Sequence, residues 1–400
     1  MSTHLPPHVP VEPAGTVVPF WLTLLLAGAC GLIVANIYYA QPLVGPISAA
    51  LGLSPQAAGL IVTMTQLGYG AGLLLVVPLG DLVETRRLVL AIMAVGTLAL
   101  LAAALSTQAL PFLLAALFIG LGSVAVQVLV PYAAHLAPEA MRGRVVGNVM
   151  SGLMLGIMLA RPAASFITAS LSWHAVFVIS AAMMVLLALV LRVALPRRQP
   201  PPGPRYAVLL ASMGGLARHT PVLQRRAIYH TFLFAAFSLF WSTTPLLLAR
   251  TYHLSQTGIA VFALVGVAGA VSAPIAGRAA DRGWSRPATG LAMLGTIAAF
   301  LMTHLGTSGS RSGLVLLTVA AVLLDFAVTA NLVLGQRAIF SLGAHYRSRL
   351  NGIYMATFFV GGAIGSAAGA WAFAQGGWAL ASAIGLALPV LALCCYATER

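Results

Sequence analysis

The chain is a succession of apolar runs, each close to the roughly 20 residues that a helix needs to cross the hydrocarbon core of a bilayer. Six lie near 18–41, 56–79, 88–106, 111–136, 144–169 and 174–195. After a polar segment, six more lie near 227–250, 257–279, 288–306, 313–339, 350–373 and 377–397. They are numbered here as spans one to twelve. Only 7% of the residues are charged and 60% are hydrophobic. A soluble domain carries about 25% charged residues, so the solvent for this chain is lipid. The fold class this implies is an all-α membrane protein.

The two sets of six are copies of one unit. Asp81 with Arg86 recurs half a chain later as Asp281 with Arg286. Arg142, Arg144 and Gly147 recur as Arg347, Arg349 and Gly352, and Trp173 and Trp378 follow those glycines at equal separation. A near-constant offset met by unrelated residue types marks an internal repeat. Ser54 and Ser255, each ahead of the second span of its half, read as helix N-caps. The organisation is thus a disordered tail (1–17), a six-helix bundle (18–195), a linker (196–226) and a pseudo-symmetric second bundle (227–400). The linker opens Pro-Arg-Arg-Gln-Pro-Pro-Pro-Gly-Pro, which cannot be helix. Tyr206–Arg218 after it suits a helix lying at the membrane surface.

The net charge of +14 comes from arginine alone, with no lysine. These arginines stand singly between apolar runs rather than on one basic face, which argues against nucleic-acid binding. If the N-terminus is cytoplasmic, the outside loops hold only Arg250 and Arg311 and the inside loops hold the other loop arginines. The positive-inside rule then puts both termini in the cytoplasm of a bacterial inner membrane. Residues 1–18 contain no Lys or Arg and so lack a signal-peptide n-region. Cys30, Cys394 and Cys395 all sit in apolar runs, with no disulfide framework or zinc spacing. There is no phosphate-cradling glycine loop, metal-ligand cluster or nucleophile–base pair, so neither an enzyme, a metal nor a cofactor is expected.

Twelve spans in two similar halves, a central linker and the doubled loop resemble the major facilitator superfamily. Gly277, Asp281, Arg282 and Arg286 match the family's loop pattern. The first copy keeps Asp81, Arg86 and Arg87 but has Val77 and Glu84 at the glycine positions. In span five, Gly152, Gly156 and Pro162 resemble a helix-packing motif of the family's proton-driven exporters. Those exporters' membrane-embedded arginine of span four would fall near Ala116. Within the superfamily the chain is similar to bacterial drug- and sugar-efflux-like permeases. The resemblance implies a cavity lined by spans one, four, seven and ten, which brings in Gln127, His230 and Trp241.

Asp325 is the one acid in the middle of a span. Its cost there is about 2.5–3.5 kcal/mol on insertion scales, so it faces protein or a water-filled cavity. Thr318, Thr329 and Gln336 share its helix face, and Asn331 lies on another. Burial disfavours the ionised form of a carboxylate, which lets such a group exchange protons near neutral pH. The competing reading is a structural acid bonded to a neighbouring helix.

Arg161, near the middle of span five, is the matching base. It pairs with Asp325, awaits an anionic group of the substrate, or packs on carbonyls freed by Pro162. Span one adds Asn36, Tyr39 and Gln41 as cavity candidates, while Tyr38 and Tyr39 also suit an aromatic belt. For the loops, a carboxylate at the positive end of a helix is stabilised by about 0.3–1 kcal/mol. Asp81 would latch span two to span eleven near Arg349, and Asp281 would latch span eight to span five near Gly143. The alternative is a loop that only obeys the positive-inside rule.

The function these residues favour is secondary active transport by alternating access. A monomer would export a small organic molecule in exchange for protons. The alternatives are symport or facilitated uptake of a small organic anion, and a non-transporting receptor on the same scaffold.

Overall fold

The computed structural model describes residues 19–200, 205–343 and 346–399. The expected tail at 1–17 and residues 201–204 of the linker lie outside these. Every regular element among the described residues is helical. Span one begins as Phe20–Ala35, and spans two to six are Leu60–Asp81, Thr85–Leu105, Ala109–Leu136, Glu139–Ser170 and Trp173–Ala194. Spans seven to ten are Pro221–Arg250, Gln256–Asp281, Ser285–Met302 and Arg311–Phe340. Arg347–Ala397 holds spans eleven and twelve, joined at Gly376 and Gly377. Gly377 takes φ 60°, a left-handed conformation that costs glycine nothing.

Several rods are broken, and the breaks matter for the site. Span one was expected to run unbroken to 41, yet its α-helix stops at Ala35 and resumes as a 3-10 turn, Gln41–Leu43, and a short helix, Val44–Ala50. The Asn36 amide donates to the carbonyls of Leu32 (3.4 Å) and Ile33 (3.2 Å), competing with the next helical turn. Pro42 and Pro46 then lack the N–H groups that a helix would need. Span eight is interrupted by a 3-10 turn, Leu264–Val267. A 3-10 stretch inside a longer helix is a common form of hinge.

Glycines set how closely the spans cross. Gly152 and Gly156 of span five lie against the backbone at Ala27 and Gly31 of span one, where any added Cβ would collide. In the second half Gly361 and Gly365 of span eleven approach Thr231 and Ala235 of span seven in the same way. Small residues that allow close backbone approach are the usual basis of helix packing in lipid. The repeat seen in the charged loops is therefore a repeat in packing too.

The halves are joined by hydrogen bonds across the middle and on the face away from the chain ends. Thr63 Oγ1 donates to Ala363 O (3.0 Å), Ser366 Oγ to Gly59 O (3.1 Å) and Gln66 Nε2 to Ser238 Oγ (2.8 Å). On that same face, Val44–Ala50 packs on span seven, and Gln256–Ala263 packs on span five. The face bearing the chain ends is different. There Gly143 and Gly147 of span five look onto open space. The linker helix, Tyr206–His219, crosses the seam between spans two and eleven on this face. Tyr206 Oη donates to Leu75 O (2.6 Å), Arg349 Nη1 donates to Ser212 Oγ (3.0 Å), and Leu209 and Met213 are buried.

Candidate functional site

Arg161 projects from span five one residue before Pro162 and is 3% exposed. Its Nε donates to Gln41 Oε1 at 2.7 Å. Its guanidinium carbon lies 4.3 Å from the Trp241 ring centroid, 5.2 Å from that of Tyr38 and 5.3 Å from that of Phe237. A desolvated cation over an aromatic face gains up to about 2 kcal/mol, so the aromatic cage offsets part of the cost of burying this charge. Gln41 reaches Arg161 because the chain leaves the helix at Ala35. The break in span one is what builds this corner.

Asp325 of span ten is 4% exposed and approaches from the second half. It does not pair with Arg161, since no salt bridge joins them among the described residues. Beside both lies Gly266, in the 3-10 turn of span eight. A methyl carbon added there would sit 3.3 Å from Arg161 Nη1, 3.4 Å from Asp325 Oδ2 and 3.8 Å from the Trp241 ring. The two charged groups thus approach a common point beside this glycine without forming an ion pair. Among the described residues, Arg161 Nη2, Gln41 Nε2, Trp241 Nε1 and Asp325 Oδ2 are buried with no hydrogen-bond partner. The Trp241 indole N–H lies beside the Asp325 carboxylate as its nearest donor. Unpartnered buried polar atoms of opposite kinds at one site call for a ligand or water. A cavity of about 90 Å³ opens beside them, lined by Arg161, Asp325, Tyr38, His230, Thr329 and apolar side chains.

The other expected cavity residues divide. His230 lines the cavity, and its Nδ1 lies 3.0 Å from Asn331 Nδ2. The amide can only donate there, so Nδ1 accepts and the ring proton sits on Nε2. Thr329 faces span eight, 3.0 Å from the position of a Cβ on Gly269. Gln336 turns to span eleven, donating to Asn351 Oδ1 (3.1 Å), and Thr318 bonds back to Leu314 O (2.8 Å). Gln127 donates to Tyr69 Oη (2.9 Å) within the first half.

Asn36 is not at the cavity: it bonds Ser180 of span six, and Tyr39 lies beside the same serine. Tyr38, read as a belt residue, takes the place by Arg161 instead. Side chains two residues apart on a helical turn point to nearly opposite faces, which puts Tyr38 across from Asn36. Gly266 carried no sequence signal beyond being a glycine in an apolar run.

The loop residues stand on the face bearing the chain ends. Asp281 pairs with Arg337 Nη1 of span ten at 2.9 Å, not with span five as expected. The guanidinium it meets belongs to its own half. Gly277 lies under the same arginine, its Cβ position 3.7 Å from Arg337 Nη2. Asp81 is exposed and forms no ion pair among the described residues. Arg86 donates to Leu195 O (3.3 Å), Arg87 pairs with Glu84 (3.3 Å), and Arg282 lies over Trp284 (5.9 Å). Arg286 bonds the backbone carbonyl of Glu399, whose carboxylate also meets Arg226 (3.4 Å) and Tyr229 Oη (3.2 Å). That clasp between spans seven, nine and twelve was not foreseen.

A helical bundle in two repeated halves, with opposite charges buried at their junction, defines a multi-pass membrane transporter rather than an enzyme. The model of the Major Facilitator Superfamily matches residues 23–317 and 227–400. The transporter YgaY of Escherichia coli O157:H7 is 37% identical over 359 residues, 90% of each chain. The probable transporter SCO4007 of Streptomyces coelicolor is 35% identical over 92% of this chain and 84% of its own. Among solved structures, a point mutant of the nucleoside transporter NupG superposes with a TM-score of 0.78 at 15% identity, covering 95% of this chain and all of that one. The chain belongs to the Major Facilitator Superfamily.

Proposed function

We propose that this transporter exchanges protons for a small organic molecule, exporting it across the bacterial inner membrane with both chain ends in the cytoplasm. The observation that carries the reading is the unpaired Asp325 carboxylate in the cavity between the halves. A substrate held by that carboxylate and a proton bound to it exclude one another. Two ligands that compete for one site are exchanged, not carried together, and an inward proton gradient then drives substrate outward. The arginine-rich faces of the loops support a cytoplasmic location for the open side. Alternating access follows if the halves rock about the site so that the seal moves to the other face. Span eight, hinged at Leu264–Val267, is the element that such rocking would bend. Uptake of an anion on Arg161 fits less well, because an ionised Asp325 lines the same cavity and would oppose it.

The groups facing Asp325 are Arg161 of span five, Tyr38 of span one, and Trp241 and His230 of span seven. The test is solute-driven proton release from liposomes holding purified protein and a trapped pH-sensitive dye. Asp325→Asn should abolish it while equilibrium counterflow of the same solute persists. Proton movement at the wild-type rate in Asp325→Asn would overturn the assignment.

A further inference from the structure

The unfilled atoms of the site define the kind of molecule it holds, given the reading that the Asp325 cavity is the transport site. We infer that the substrate carries no net charge and offers a single uncharged head, a hydroxyl or a carboxamide, seated over Gly266 between Arg161 and Asp325.

Three observations lead there. Arg161 and Asp325 both line the cavity, and among the described residues Arg161 Nη2 and Trp241 Nε1 are free donors and Asp325 Oδ2 a free acceptor. A head that both accepts and donates can satisfy donor and acceptor together. The second observation is charge balance. Arg161 and Asp325 cancel, and both are buried. An anionic head would meet Asp325 and a cationic head would meet Arg161, so either leaves one buried charge opposed by its like. The third is the apolar wall. Phe237, Val328, Leu332 and Met154 line the same cavity, which suits an apolar body on a small polar head. A zwitterion also balances the charge, but its ammonium brings three donors to the one free carboxylate oxygen.

Gly266 is the positioning residue of this arrangement. A Cβ there would lie in contact with Arg161 Nη1 and Asp325 Oδ2, so its absence leaves both groups open to the head.

The experiment uses the full-length protein in detergent and four compounds of one four-carbon body: butanamide, butanoate, butylammonium and 2-aminobutanoate. Thermal unfolding followed by tryptophan fluorescence gives a half-maximal stabilising concentration for each. Butanamide should act at a concentration at least tenfold below the other three. Gly266→Ala should raise its half-maximal concentration at least tenfold while leaving the ligand-free melting profile cooperative. If Gly266→Ala does not fold, the ranking on wild-type protein still decides the matter. Butanoate, butylammonium or 2-aminobutanoate leading the series would overturn the inference, as would no stabilisation by any of the four. Should butanoate lead while its coupled proton release disappears in Asp325→Asn, proton coupling stands and only the uncharged head falls. Should proton release survive in Asp325→Asn while butanamide leads, the coupling assignment falls and the head-group inference stands.

Discussion

Gln41→Glu exchanges one amide nitrogen for an oxygen and changes the charge of the site without changing its shape. In the wild-type protein Gln41 Oε1 accepts from Arg161 Nε at 2.7 Å, a bond to a charged group worth about 1.5–3 kcal/mol. The new carboxylate would lie against the guanidinium, and at roughly 4 Å between charges with an effective dielectric near 20 the attraction is about 4 kcal/mol. Burying one more ion costs several kcal/mol. These terms nearly cancel, so the melting temperature should change little. The charge of the site does not cancel: one arginine now faces two carboxylates. Butylammonium should therefore overtake butanamide, its half-maximal stabilising concentration relative to the amide falling by more than the amide's lead of at least tenfold, that is by more than about 1.4 kcal/mol. The assay is the same thermal unfolding series, run beside Gln41→Leu. The leucine variant strips Arg161 of its hydrogen bond and should weaken butanamide without favouring the cation. A folded Gln41→Glu protein that keeps the wild-type ranking would refute the view that the balance between Arg161 and Asp325 sets head-group choice.

Gly156→Leu should cost at least about 1–3 kcal/mol of stability or prevent folding, because span five lies on the Gly31 backbone, whereas Gly147→Ala, with open space beside it, should be neutral in thermal unfolding. Asp281→Asn removes an ion pair whose side chains are 60% and 53% exposed, worth at most about 1 kcal/mol. Its melting temperature should stay close to wild type. Cysteine labelling at the cavity mouth should rise in both Asp281→Asn and Asp81→Asn if these loops latch the closed state, and unchanged labelling with full transport would leave them as topological signals only.

How much of this could be read from the chain follows from the range of the forces involved. The apolar runs and the arginine between them are one-dimensional facts, because a bilayer sorts residues by polarity along the chain. The all-helical fold was therefore legible, and so was the placing of Asp325 and Arg161 inside long apolar helices. The N-cap at Ser255 is local as well, its hydroxyl accepting from Gly258 N at 3.3 Å, whereas Ser54 makes the same bond to Ala57 N in a turn ahead of a helix that begins only at Leu60.

What the tertiary structure decided is direction and partnership. Of the polar residues at the end of span one, Asn36 faces Ser180 of span six while Tyr38 and Gln41 meet Arg161, a choice set by which neighbouring span lies on each face. Asp281 meets Arg337 of span ten instead of span five, a partnership between residues 56 positions apart that only the packing of spans eight and ten decides. Gly266 is invisible in the sequence for the simplest reason. Its contribution is an absent side chain, and an absence gains meaning only when Arg161 and Asp325 arrive beside it from different halves of the chain.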